Sequence, residues 1–164
     1  MSTNLPATTK GRTDIAVAHG NDDFVTMTIA DQLFGIPVLQ VQDVLGNQKI
    51  TRIPLAPPEV AGSLNLRGRI VTAIDVRMRL GLSKRDAGKS VMSIVVDHRG
   101  ELYSLMVDNV GEVLSLSADK YERNPATMNP RWRELSNGIY RLDQTLLVVL
   151  DVAKLLNFAN LEAV

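Results

Sequence analysis

The chain has 164 residues, eighteen basic and eighteen acidic side chains, and no cysteine. That length suits one domain, or two very small ones packed as a unit. The balanced charge raises no global field for nucleic acid or an anionic membrane, and the absence of thiols excludes disulfides, cysteine nucleophiles and cysteine-ligated metals. Hydrophobic residues make up 45% of the chain, yet only three Phe, three Tyr and one Trp are among them. The core is therefore aliphatic and rich in β-branched residues, which favours strands. No apolar run approaches the ~20 residues that cross a bilayer, and the amino terminus lacks a secretory pattern. A cytoplasmic protein without membrane insertion is expected.

Residues 1–22 read as a flexible tail of Ser, Thr, Gly, Asn and Pro, with Ile15-Ala16-Val17-Ala18 too short an apolar patch to fold alone. From Asp23 the text changes. Val25, Met27 and Ile29 alternate with Thr26 and Thr28, Ala30-Asp31-Gln32 turns the chain, and Leu33 to Ile36 returns: a hairpin. Pro54, Pro57 and Pro58 precede Glu59 to Gly62, which reads as a helical turn. Leu64 to Val71 reads as a second hairpin with Arg67-Gly68 at its tip. Asp75 then caps a short amphipathic helix from Val76 to Leu80, as Asp151 caps Val152 to Leu156. Ser83 to Ser90 is a polar bridge. Val91 to Val96, a turn at Asp97 to Gly100, and Leu102 to Met106 repeat the hairpin grammar.

That repetition is the most informative feature. Leu33 to Leu45 aligns without a gap on Leu102 to Leu114, with Phe34 on Tyr103 and Asp43 on Glu112. Gly62-x-x-x-Leu66-x-x-x-Ile70-Val71-x-x-Ile74-Asp75-Val76 likewise aligns on Gly138-x-x-x-Leu142-x-x-x-Leu146-Leu147-x-x-Leu150-Asp151-Val152. Two blocks in the same order describe a duplicated half rather than a solenoid. The expected architecture is mainly β: two small five-stranded barrel subdomains packed together with a few short helices. The first covers about residues 23–82 and the second about 90–158, with 159–164 a terminal tail.

Catalytic constellations are weak. His19 and His98 have no metal-ligand spacing, and no glycine-rich loop matches a nucleotide fingerprint. No cofactor and no metal is expected. Asp75 and Asp151, one from each half, follow the logic of an aspartic dyad, but each opens a helix, and capping explains both. A hydrolase using this pair is the unfavoured alternative. Arg67, Arg69, Arg77, Arg79, Lys84, Arg85 and Lys89 lack interleaved stacking aromatics, so they read as a solvated face rather than a nucleic-acid patch. Arg67 is the exception: at a glycine-hinged tip it offers a planar fork to Asp43 or to a partner's carboxylate.

Ile50-Thr51-Arg52-Ile53-Pro54, Val60-Ala61-Gly62-Ser63-Leu64-Asn65-Leu66-Arg67-Gly68 and Ile74-Asp75-Val76-Arg77 resemble the signature of the CheW family, as do Phe34-Gly35-Ile36 and Val41-Gln42-Asp43-Val44. The resemblance runs from about Asp23 to Phe158. It departs where Asp43 replaces a common glutamate, where Thr72-Ala73 replaces a common proline, and at Arg69. It implies a non-enzymatic adaptor that couples methyl-accepting chemoreceptors to the regulatory domain of the histidine kinase CheA in chemotaxis arrays, or an adaptor of a non-flagellar chemosensory pathway. It also implies a receptor tip seated in a groove between the barrels, lined by Val38, Val41, Asp43, Asn65, Arg67, Val107 and Val110. The kinase would then contact the opposite end of the first barrel, at Leu45, Gly46, Ile50 and Ile53. Val44 and Val113 are expected in the core.

Overall fold

The computed structural model describes residues 21–86 and 88–158, so most of the expected amino-terminal tail and the whole expected carboxy-terminal one lie outside it. Eleven strands and three short helices follow one another as β1 (Asn21–Ile29), β2 (Gln32–Pro37), β3 (Val41–Leu45), β4 (Val60–Leu66), β5 (Arg69–Asp75), α1 (Val76–Arg79), β6 (Met92–His98), β7 (Glu101–Val107), β8 (Asn109–Ser117), β9 (Tyr121–Glu122), α2 (Pro130–Leu135), β10 (Ser136–Arg141), β11 (Leu146–Leu150) and α3 (Val152–Leu156). β1 starts two residues before the expected Asp23.

The strands form a six-stranded sheet in the order β8-β1-β2-β11-β10-β9 and a five-stranded sheet in the order β3-β6-β7-β5-β4. The sixth strand is the two-residue β9. The sheets do not follow the sequence halves. The first-half hairpin β1–β2 completes the sheet of β8 to β11, and the second-half hairpin β6–β7 completes that of β3 to β5. Under the duplication β1 to β5 correspond to β6, β7, β8, β10 and β11, so both sheets share one plan with their hairpins exchanged. The exchange is sealed by two parallel pairings between halves: Thr72 to Asp75 of β5 beside Tyr103 to Met106 of β7, and Leu33 to Gly35 of β2 beside Leu147 to Val149 of β11.

Three two-residue turns direct the hairpins. Ala30-Asp31, Arg67-Gly68 and Arg99-Gly100 all have left-handed backbones, the combination that matches strand twist. Asn65 and Asp97 steady two of these turns, each side-chain oxygen accepting from the glycine amide at 3.0 Å. Each sheet is rolled. The outermost strands β8 and β9 are joined by only Ala118–Lys120, while β3 and β4 approach through a Thr51–Ser63 bridge with two 2.8 Å hydrogen bonds. Of the expected helical turn at 59–62, residues 60–62 instead open β4, because this bridge recruits the chain into the sheet.

Strand alternation separates three cores. Leu64, Val71 and Ala73 fill the five-stranded roll, and Phe24, Tyr140, Leu147 and Val149 the six-stranded one. The opposite faces, including Met27, Phe34, Ile74, Ile94, Leu105 and Ile139, meet in a large seam. Most central strands are thus buried on both sides, which explains unbroken runs such as Leu146 to Leu150. The helices close one end of the seam. Asp75 and Asp151 cap α1 and α3 as expected, accepting from the amides of Arg77 and Lys154. α2, which the periodicity missed, is capped by Asn129 and begins with Pro130. Its Trp132 donates to the Leu80 carbonyl at 3.1 Å and packs at a tilt against the Phe34 ring, tying the halves together.

At Gly62 an added Cβ would lie 2.2 Å from the Thr51 carbonyl oxygen, whereas at Gly46 nothing lies within 4 Å. Gly62→Ala should therefore cost ~2 kcal/mol or more in urea unfolding, and Gly46→Ala ~0.5 kcal/mol or less. Equal losses would contradict this account of the sheet closure.

Candidate functional site

Paired residues in a ladder share a face, so the register shows which side chains line the seam. One row on the five-stranded sheet runs Val44, Ile94, Leu105, Ile74, Val60. The matching row on the six-stranded sheet begins Val113, Val25, Ile36. All these residues belong to the buried seam except the first of each. Val44 is 39% exposed and Val113 54% exposed. Both were expected in the core, and both stand on the core face. They are exposed because β3 and β8 are outermost strands, where the apolar face runs beyond its cover.

The next row inward carries Val41 and Val110, each half-buried against the seam, and Val38 packs there from the 3-10 turn Val38–Gln40. Val107, expected to line the groove, is fully buried. It ends β7, the middle strand of the five-stranded sheet, and belongs to the seam. The outward valines are therefore Val38, Val41 and Val44 on one edge and Val110 and Val113 on the other.

Beside the first edge, Arg67 Nη2 lies 2.9 Å from Asp43 Oδ2. Asp43 is on β3 and Arg67 on the β4–β5 tip, so the pair spans the opposite margins of the rolled sheet. Asp43, although shorter than glutamate, is reached directly, and its other oxygen accepts from the Val44 amide at 2.8 Å. The arginine side chain is 76% exposed and makes a single-nitrogen contact rather than a two-pronged one. Its remaining donors face solvent. Asn65 is exposed next to this tip and shapes it through the Gly68 amide.

At the other expected surface, Leu45 and Ile50 are half-buried inside the five-stranded roll and Ile53 against the seam, leaving Gly46 exposed. The loop instead projects Leu55, which is fully exposed with a left-handed backbone. Leu39 and Ile70 are likewise exposed. Sequence reasoning singled out none of the three, because an exposed leucine and a buried one read alike.

The supposed basic face is dispersed. Arg77 and Arg85 both bind Asp108, at 2.6 and 3.1 Å, while Arg79 donates to the Leu155 and Lys154 carbonyls and lies over Phe158. Arg69 reaches towards the Gly100 carbonyl. Asp108 also accepts from the Ala30 amide at 2.8 Å, which holds the left-handed alanine of the first hairpin. Burial works against the Asp108 charge, but the Ala30 amide and the two guanidinium groups outweigh it and hold the carboxyl below its ordinary range. Asp75 and Asp151 are spent on their caps, and among the described residues no acidic or histidine cluster is arranged to hold a metal ion.

A duplicated twin-sheet module whose aspartates cap helices and whose outermost strands carry apolar side chains to the surface is a protein-binding module. The profile of the CheW-like domain matches residues 23–160. The chain is 30% identical to the chemotaxis protein CheW of Klebsiella aerogenes over 135 residues, which cover 82% of this chain and 81% of that one. It is 26% identical to the chemotaxis protein CheW of Helicobacter pylori, over 81% and 80% of the two chains. A crystal structure of the scaffolding protein CheW of Thermoanaerobacter tengcongensis superposes with a TM-score of 0.76 at 29% identity, covering 86% of this chain and 95% of that one. The chain belongs to the CheW-like domain family, a family of non-catalytic adaptors, and its function is that of a chemotaxis scaffold.

A carboxylate held below its ordinary value stabilises the fold above about pH 4, and that contribution is lost as pH falls through the native-state value. Asp108→Asn should therefore lower the urea midpoint at pH 7, with the gap from the parent narrowing at pH 3. A gap independent of pH would show that the carboxylate's charge contributes nothing.

Proposed function

We propose that this chain couples methyl-accepting chemoreceptors to the histidine kinase CheA, without catalysing a reaction itself. The observation that carries the reading is the Val38–Val41–Val44 edge beside the half-engaged Arg67–Asp43 pair. An apolar ridge takes up one face of a helical hairpin, and the free donors of Arg67 meet a carboxylate or carbonyl at its margin. Val110 and Val113 add the same kind of apolar surface on the other half. The kinase contact is assigned to the end that carries Leu45, Gly46, Ile50 and Ile53, with Leu55 as its outward anchor. A regulatory domain of the same family would meet it barrel against barrel.

Arg67→Ala should cost ~1 kcal/mol or less in stability, as exposed ion pairs do. Receptor binding measured by calorimetry should nevertheless weaken by roughly 1.5–3 kcal/mol. Lysine should restore only part of it, because a point charge lacks the fork. Val44→Glu should abolish receptor docking while leaving the fold intact, since Val44 is already partly in water. The decisive assay combines kinase, receptor and this protein. Kinase output unchanged when the protein is left out, or receptor affinity unchanged in both variants, would overturn the reading.

A further inference from the structure

Each sheet is completed by the other half of the chain, and only the connection from α1 to β6 joins the halves in sequence. Every pairing between halves is repeated once by the duplication: β1 with β8 and β6 with β3, β2 with β11 and β7 with β5. None of these ladders requires that both strands come from one chain. We infer that two copies of this chain can exchange halves, the first half of each completing both sheets with the second half of the other.

The connection has the properties such an exchange needs. β5 and β6 are separated in their sheet by β7 alone, and Asp75 and Met92 lie opposite Met106 and Val107. The ends to be joined therefore lie at one end of the sheet, about two strand spacings or ~10 Å apart. The described bridging residues are mostly exposed and contribute no strand. Arg85 is their main anchor, held by Asp108, while Arg77 grips the Ser83 carbonyl at 2.9 Å. Apart from these few bonds the open and closed forms bury the same surface. The choice between them rests on the tether. A short flexible link gives an effective concentration of order millimolar, so the closed monomer prevails in dilute solution and the exchanged dimer is favoured once the link cannot span its ends.

The exchanged dimer has a functional consequence. Each of its two domains would carry the Val41–Val44 edge and the Arg67–Asp43 pair from one chain and Val110 and Val113 from the other. One particle would present two complete partner faces, each assembled from both copies.

The test replaces residues 83–90 with four Glu-Ala-Ala-Ala-Lys repeats, a semi-rigid helical rod of ~30 Å. That is about three times the ~10 Å between Asp75 and Met92, and residues 76–82 cannot make up the difference because α1 and the Leu80 and Leu82 amide hydrogen bonds hold them against the first half. A Gly-Ser connection of equal length is the control. Asp23 and Ser115 are exposed, directly opposed and on different halves, within disulfide reach for antiparallel partners. The chain has no cysteine of its own. Asp23→Cys on one tagged copy and Ser115→Cys on another therefore report exchange as a bond between chains. The rod-bearing chain should run at about twice its own single-chain mass in light scattering and form that bond. The Gly-Ser chain should stay monomeric, and the pair of substitutions placed in one copy should close within it. A rod-bearing chain that is monomeric, or that fails to fold while the Gly-Ser chain folds, overturns the inference. So does a dimer without the interchain bond. None of these readouts involves receptor or kinase, so the outcome is independent of the adaptor reading.

Discussion

The exchange of hairpins between the two halves is the constraint on which the structure depends. A half alone would own two two-stranded hairpins and a lone strand, with β3 and β5 of the first half, and β8 and β11 of the second, left without a partner on their inner margins. Hairpins of that size are marginal in water. Placing β1–β2 beside β11 and β6–β7 beside β5 gives each sheet its middle, and the middle strands become buried on both faces. The seam, the interiors of both rolls and the parallel ladders then form together. The Asp108 node belongs to the same logic. It sits where β7 hands the chain to β8, and it gathers the β1–β2 turn, α1 and the interhalf connection onto one carboxylate.

The same arrangement determines where a partner can bind. Rolled sheets with covered faces leave little apolar surface exposed, and besides Leu39, Leu55 and Ile70 the exceptions include the places where that cover runs out. β3 and β8 are equivalent strands, each the outermost of its sheet, and each extends a buried row by one valine. Val44 and Val113 are thus products of topology, present twice because the half is present twice. Their surroundings have diverged. Beside Val44 stands Asp43 with Arg67; beside Val113 stands Glu112, with no ion pair to it among the described residues. One fold device therefore offers two apolar edges of different electrostatic character.

Much of this was legible in the residues. Period-two alternation, left-handed turn pairs and aspartates before short amphipathic runs are local signals, and the hairpins, the Arg67-Gly68 tip and both Asp caps lie where those signals put them. The duplication was legible too, because its matches fall on core positions. The exchange was not. Which half a hairpin joins is decided by pairing and packing between residues far apart in the chain, such as Thr72 with Tyr103 and Leu33 with Leu147, and no local pattern encodes it. Burial at a sheet margin was equally hidden. Val107, Val110 and Val113 have one spacing and one residue type, yet they run from fully buried to more than half exposed, because only the neighbouring sheet decides where cover ends. The bridge at Thr51–Ser63 misled the reading of 59–62 for the same reason, since a proline-rich approach looks like a helix start until a strand claims it.

The Arg67–Asp43 pair shows how a position can be tied to the fold and remain available for recognition. Arg67 holds a left-handed conformation that a non-glycine residue adopts at some cost, and Gly68 and the Asn65 side chain make that conformation tolerable. Its contact with Asp43 is exposed to water and adds little to stability. Losing it would free the margins of the roll, but the Thr51–Ser63 bridge still closes them. What the contact does supply is orientation. A long flexible side chain is held at the β3 margin through Asp43 with most of its donors unspent, so less of its rotamer entropy remains to be lost when a partner arrives. The energetic separation between folding and recognition follows from that geometry: the pair is weak where the fold would need strength and pre-ordered where a partner would need precision.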